Sequence, residues 1–248
     1  MVELLYRDLG RMGYGECWDL QRLLFARLLD SKSGAGQNSV ALSDSQRADI
    51  PEWDKIVEAN CGGELLIVEH NPVYTLGKSG KLENMLVSEQ YLRSIGAEFY
   101  RIERGGDVTY HGPGQIVGYP ILDLEKLGIG LRQYIDSMEQ AIIEVCAEWG
   151  VEAGRIEGAS GVWIEPESPR ARKICAIGVR SSRYVTMHGF AMNVATDLRY
   201  FSHINPCGFV DKGVTSLSRE VGRTVVPEEV KAQIVKHLAE KLNVKIYK

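Results

Sequence analysis

An apolar stripe between Leu131 and Trp149 constrains this chain more than any other feature. Leu131, Tyr134, Ile135, Met138, Ala141, Ile142, Val145 and Trp149 recur at three- and four-residue steps, which predicts an amphipathic helix over 130–149 with Gly150 as its stop. So broad an apolar face has to be covered by other elements. Residues 65–69 (LLIVE) read as a buried strand and 99–103 as a second. The apolar run 116–124 suits another strand, which Pro120 would place at an edge or a bulge. Shorter strand-like segments follow at 161–164, 173–180 and 190–194. Further helices are expected over 14–30 and from Pro227 to about Leu242, where a proline and two glutamates suit a first turn. Helices flanking short strands, without regular βαβ alternation, give an α+β (mixed α/β) fold class.

The 248 residues fit one large domain or two small ones. Residues 31–49 (SKSGAGQNSVALSDSQRAD) are small, polar and Gly/Ser-rich, and read as an exposed insertion. A net charge of −4 argues against general binding to nucleic acid or to an anionic membrane. The N-terminus lacks the basic and apolar regions of a signal peptide, and no run approaches the ~20 apolar residues of a membrane span. The five cysteines are odd in number, far apart and without a CxxC pair, so neither a disulfide framework nor a metal site is expected. A reducing, cytoplasmic setting is the expectation.

The densest unusual stretch is RGGDVTYHGPGQ, 104–115. Its four glycines let backbone approach a ligand closely, although composition alone equally allows a glycine-rich hairpin. GKS at 77–79 resembles the end of a P-loop, but Pro72 stands where that motif needs glycine. Cys207 lies between Pro206 and Gly208, a pattern that holds a side chain at a sharp turn, whereas Cys17 and Cys146 sit in apolar periodic runs and Cys61 and Cys175 default to structural roles. A reactive Cys207 competes with a plain loop cysteine. A thiol is only slightly ionised at neutral pH, so a nucleophile needs a cation or base beside it. Candidates are His111, His188, His203 and Lys173. Lys173 opens the strand KICAIGVR, where burial would let it take a proton, or it is a lysine snorkelling at a strand end. Residues 168–196 hold no Asp or Glu but carry Arg170, Arg172, Lys173, Arg180 and Arg183, either a docking strip for an anionic partner or a solvated face.

RGGDVTYHGPGQ (104–115), RKICAIGVR (172–180), HGFAMNV (188–194), INPCGF (204–209) and the upstream EHNPVYTLGKSG (69–80) together closely resemble the motifs of the lipoyl(octanoyl) transferases, the octanoyl-[acyl-carrier-protein]:protein N-octanoyltransferases. The resemblance spans nearly the whole chain in the family's order. It implies a single catalytic domain over 1–248, similar to those of lipoate and biotin protein ligases, with mixed sheets flanked by helices; the 31–49 insertion departs from the compact family pattern. It implies Cys207 as acyl-thioester nucleophile and Lys173 as the residue lowering its pKa. Substrate binding is implied for Arg104, Gly105, Gly106, Asp107, Val108, Thr109, Tyr110 and His111, for Ala176, Ile177 and Gly178, and for Gly189, Phe190 and Ala191. The implied donor is octanoyl-acyl carrier protein. The implied acceptors are lipoyl domains of 2-oxoacid dehydrogenases and the glycine cleavage H protein. No cofactor is expected, and a monomer is the default. Three rivals stand beside this reading: an ATP-dependent lipoate- or biotin-type ligase, a non-catalytic carrier-binding module, and a Cys–His hydrolase.

Overall fold

The computed structural model describes residues 1–32, 61–205 and 212–247. The central feature is a mixed sheet. In chain order its strands are β1 (Val2–Met12), β2 (Cys61–His70), β6 (Gln115–Leu122), β7 (Ala153–Ile156), β8 (Ala159–Ile164), β9 (Arg172–Ser182), β10 (Val185–Asn193), β11 (Gly213–Val214) and β12 (Val244–Tyr247). Across the sheet the order is β12-β1-β2-β6-β10-β9-β8-β7, with β11 pairing beside β9. A small second sheet orders β4 (Glu98–Arg101), β3 (Val73–Leu76) and β5 (Val108–His111). The helices are α1 (Tyr14–Lys32), α2 (Glu89–Ser94), α3 (Leu124–Leu127), α4 (Leu131–Glu148), α5 (Leu217–Val221) and α6 (Pro227–Leu242).

The apolar stripe explains α4 and its partner. Tyr134, Met138, Ile142 and Val145 join Ile234 and Leu238 of α6 and Leu65, Ile67, Phe190 and Met192 of the sheet in one buried cluster. The opposite sheet face packs Leu66, Val68, Val117 and Tyr119 against Cys17, Leu24 and Phe25 of α1. Odd and even residues of β2 therefore enter different cores, which is why LLIV reads as an unbroken apolar run. The outer sides of α4 and α6 are tied by a hydrogen bond and an ion pair, with Nε2 of His237 2.7 Å from Glu148 and Lys241 2.6 Å from Glu144.

The expected helices and strands are present, with local differences. Helix α1 extends through Ser31 and Lys32, where the insertion was expected to begin, because the Lys32 ammonium reaches Asp123 and Glu125. The rest of the 31–49 insertion lies outside the described residues. No described helix is long and apolar enough to cross a membrane.

Strand β6 is not at an edge. It lies between β2 and β10, and Pro120 pairs with Leu65. The proline acts on the other side. Pairing of β10 with β6 runs from Asn193↔Gln115 to Phe190↔Gly118 and goes no further. Continuing that register would set His188 opposite Pro120, which has no N–H to offer. There the β10 backbone turns to φ 64° at His188, and the His188 N–H goes instead to Gln21 of α1. The free Pro120 carbonyl accepts from Thr186 at 2.9 Å and from the Tyr134 hydroxyl at 3.2 Å.

Close strand pairing also explains Gly63, at φ 131°, where an added Cβ would lie 2.1 Å from the Ile121 carbonyl oxygen. Gly63→Ala is expected to cost about 1–3 kcal/mol, through backbone strain and overpacking together. Gly13→Ala, with open space around its Cβ, is the control. Thermal melts of both variants check this, and equal Tm values would contradict it.

Candidate active site

Backbone meets backbone along the 104–115 stretch, and two of its four glycines permit it directly: a Cβ at Gly105 would meet the Val179 carbonyl oxygen at 3.0 Å and one at Gly114 the Ala195 carbonyl oxygen at 2.5 Å. Gly77 N–H donates to the Asp107 carbonyl at 3.2 Å, Lys78 N–H to Arg104 at 2.9 Å and Ser79 N–H to Gly106 at 3.3 Å. The GKS tripeptide is thus a cross-brace for the glycine-rich loop. Arg104 folds back over that loop, donating to the carbonyls of Gly105 at 2.8 Å and Asp107 at 2.6 Å. On the facing strand a Cβ at Gly178 would meet the Gly105 carbonyl at 2.9 Å and the Arg104 side chain at 3.0 Å. Gly105 N–H closes the contact by donating to the Val179 carbonyl at 3.1 Å. Two sequence segments more than seventy residues apart are locked together by glycine.

Beside this lock lies a cavity of about 600 Å³. Arg104, Gly105, Gly106, Asp107, Val108, Thr109 and His111 line it from one side. Ala176, Ile177, Gly178, Gly189, Phe190 and Ala191 line it from β9 and β10, and Lys173 also faces it. Tyr110 does not. Its ring is buried behind the loop in a cluster with Tyr74 and Leu92, stacked on Tyr200 with centroids 4.7 Å apart. Cys207 lies outside the described residues. Phe201 and Lys212, which precede and follow it in the chain, both line the cavity.

The Lys173 ammonium donates to the Ser160 carbonyl at 3.2 Å and sits 4.5 Å from the centre of the Trp163 ring. Both contacts suit a cation. Neither Ser160 nor Trp163 carries a sequence signal for this, since a strand tryptophan reads simply as core. The other candidate bases are different. Burial, first of all, lowers His111 to about 3 and His188 to about 3, and lowers His70 to about 4. These rings are neutral at physiological pH and weak proton acceptors. His111 is fixed by Gln115 at 2.8 Å and stacks on Tyr14, while Gln115 in turn donates to Asn193 at 2.8 Å. His203 is 2.9 Å from the Tyr74 hydroxyl.

The described cysteines are poor nucleophiles. Desolvation pushes the Cys17 and Cys146 thiols up to about 12, raises Cys175 further, and also raises Cys61. Their structural assignment from sequence agrees with this. The basic strip is partly paired. Arg170 pairs with Glu165 at 2.8 Å, Arg172 with Glu165 and Glu220 at 2.7 and 2.5 Å, and Arg180 with Glu103. Glu165, just before the segment, and the distant Glu220 and Glu103 thus pair with three of its five cations.

The three neutral histidines make stability depend on pH. Between pH ~6.5 and their depressed folded values, the unfolded chain binds protons that the folded chain refuses. Their contribution is complete above pH ~6.5 and is lost on acidification, with a slope of up to ~1.4 kcal/mol per pH unit for each ring. His111→Gln is expected to flatten the fall in Tm between pH 6.5 and 5. An unchanged slope would remove His111 from this balance.

Comparison with known proteins agrees with the geometry. Residues 52–239 match the family described as lipoyl protein ligase A/B catalytic domain. The octanoyltransferase of Bacteroides fragilis (strain YCH46) is 59% identical over 193 residues, covering 75% of this chain and 87% of that protein. The octanoyltransferase of Parabacteroides distasonis is 49% identical over 230 residues, covering 92% of each. Among solved structures, the bipartite lipoate protein ligase of Thermoplasma acidophilum superposes with a TM-score of 0.66 at 16% identity, covering 100% of this chain and 86% of that one. A lipoate-protein ligase A bound with ATP gives 0.64 at 15%, covering 100% and 88%. At such identities the structures establish a shared fold, while the closer relatives establish the activity class. The chain belongs to the lipoyl protein ligase A/B catalytic-domain family, and within it to the octanoyltransferases, which are acyltransferases.

Proposed function

We propose that this chain moves an octanoyl group from octanoyl-acyl carrier protein to a lysine of a lipoyl domain, by way of a thioester on Cys207. The observation that carries the reading is one cavity bounded by the glycine-rich loop, by Lys173 and by residues on both sides of Cys207 in the chain. Lipoyl domains of 2-oxoacid dehydrogenases and the glycine cleavage H protein are the proposed acceptors, and the cytoplasm is the proposed setting.

In the first half-reaction the Cys207 sulfur attacks the thioester carbonyl and the carrier's thiol departs, taking up a proton. One thioester replaces another, so no ATP is needed. In the second, the acceptor's ε-amine attacks the Cys207 thioester. The amide forms, the C–S bond breaks, and the amine's proton returns to the sulfur or to solvent. Amide formation from a thioester is downhill and drives the cycle. Lys173 stabilises the thiolate as an ion pair or relays the amine's proton. Each methylene buried in the cavity contributes roughly 0.8 kcal/mol, so an eight-carbon chain is held largely by the hydrophobic effect.

The ligase likeness favours a second reading, activation of a free acid with ATP. Transfer from octanoyl-carrier protein to a lipoyl domain is expected to proceed without ATP and Mg²⁺, and an absolute requirement for both would replace the thioester reading with the ligase one. In the same assay Lys173→Met is expected to lower kcat by about 10²–10⁴-fold with its melting temperature retained. Unchanged turnover at neutral pH would remove Lys173 from the chemistry.

A further inference from the structure

His188 is 1% exposed, yet neither of its ring nitrogens has a hydrogen-bond partner among the described residues. Buried imidazoles left in this state are costly, and so is a non-glycine residue at φ 64°. Both costs fall on one residue of the cavity wall. The break in the ladder at Pro120 accounts for the backbone but leaves the ring unexplained.

Position gives the ring a use. The Lys173 ammonium rests on the Ser160 carbonyl, and the next residue, Gly161, pairs with Ala176. His188 pairs with Val179, three residues further along β9. Ser160 itself falls level with Ile177, so His188 lies two residues along β9 and two strand spacings across it, about 12 Å in all, near the reach of an extended eight-carbon chain with its thioester. With its thioester beside Lys173, an octanoyl group ends near His188. Arg104 and Arg180 lie close enough to disfavour an imidazolium, and burial disfavours it more. The ring therefore offers one donor and one acceptor without charge.

We propose that His188 determines acyl-chain length by forming a polar floor to the cavity, holding water that an octanoyl chain leaves in place and a longer chain must expel. Expulsion strands both ring nitrogens against methylenes, so the longer chain is rejected by desolvation as well as by lack of room. This inference rests on the thioester reading above.

The test compares decanoyl- with ω-hydroxynonanoyl-carrier protein, donors of equal length of which the second ends in a hydroxyl that can replace the water. The wild-type protein is expected to favour the hydroxylated chain in kcat/KM by about tenfold. His188→Leu should abolish that preference and admit decanoyl. His188→Asn should keep it, since asparagine retains a donor and an acceptor and tolerates positive φ. Equal use of the two donors by the wild type would overturn the proposal, a result that stands even if the leucine variant fails to fold. So would selectivity kept by leucine and lost by the smaller asparagine, which is the order that volume alone would give. A wild-type protein that transfers no acyl group from any carrier would instead remove the thioester reading itself.

Discussion

One missing hydrogen-bond donor shapes the middle of this molecule. Pro120 lies in β6, a central strand buried on both faces, where prolines are seldom tolerated. Its cost is avoided because β10 leaves the ladder at that level and the freed groups find other partners in Thr186, Tyr134 and Gln21. The departure brings Gly189 against the Gly118 carbonyl, where a Cβ would come within 2.2 Å, and leaves His188 in the cavity wall. A sheet paired without interruption from β2 to β9 would have no reason to hold a ring there.

Around that break the cavity is built from contacts that leave little freedom. Gly105 and Gly178 bring the loop and β9 into backbone contact, Arg104 ties the loop to itself, and the 77–79 turn braces it from behind. Such a site can hold an acyl chain in a fixed path with few groups rearranging on binding, which is how preorganisation raises both affinity and rate. Two described lysines face this space, Lys173, whose ammonium is supported by a carbonyl and an aromatic ring, and Lys212.

Much of this was legible in the sequence, and the reasons differ by element. The three- and four-residue recurrence of α4 has no other reading than a helix against a core, and its bounds follow within a residue of the structure. Pro227 with its following glutamates marked the start of α6. The cavity-lining loop was visible as an excess of glycine, but only the match of several motifs at once favoured a ligand-facing loop over a plain hairpin. Pairings across the fold were not legible. Nothing local to Arg172 says that Glu220 lies beside it, so the sequence shows the strip's charges but not the acids that three of its arginines pair with. Pro120 gave the right alarm for the wrong place: the interruption it signals occurs in the neighbouring strand. Tyr110 sits in the core cluster behind the loop while its segment neighbours line the cavity, a difference that no local pattern in the sequence marks.

The central claim is that the acyl group rests covalently on one sulfur. Incubation with octanoyl-carrier protein in the absence of acceptor, followed by acid quench and peptide mass mapping, tests it most directly. The account predicts one octanoyl unit on the peptide containing Cys207, removed by neutral hydroxylamine. An octanoyl group found on any other residue, or none on the protein while transfer to an added lipoyl domain still proceeds, would contradict it.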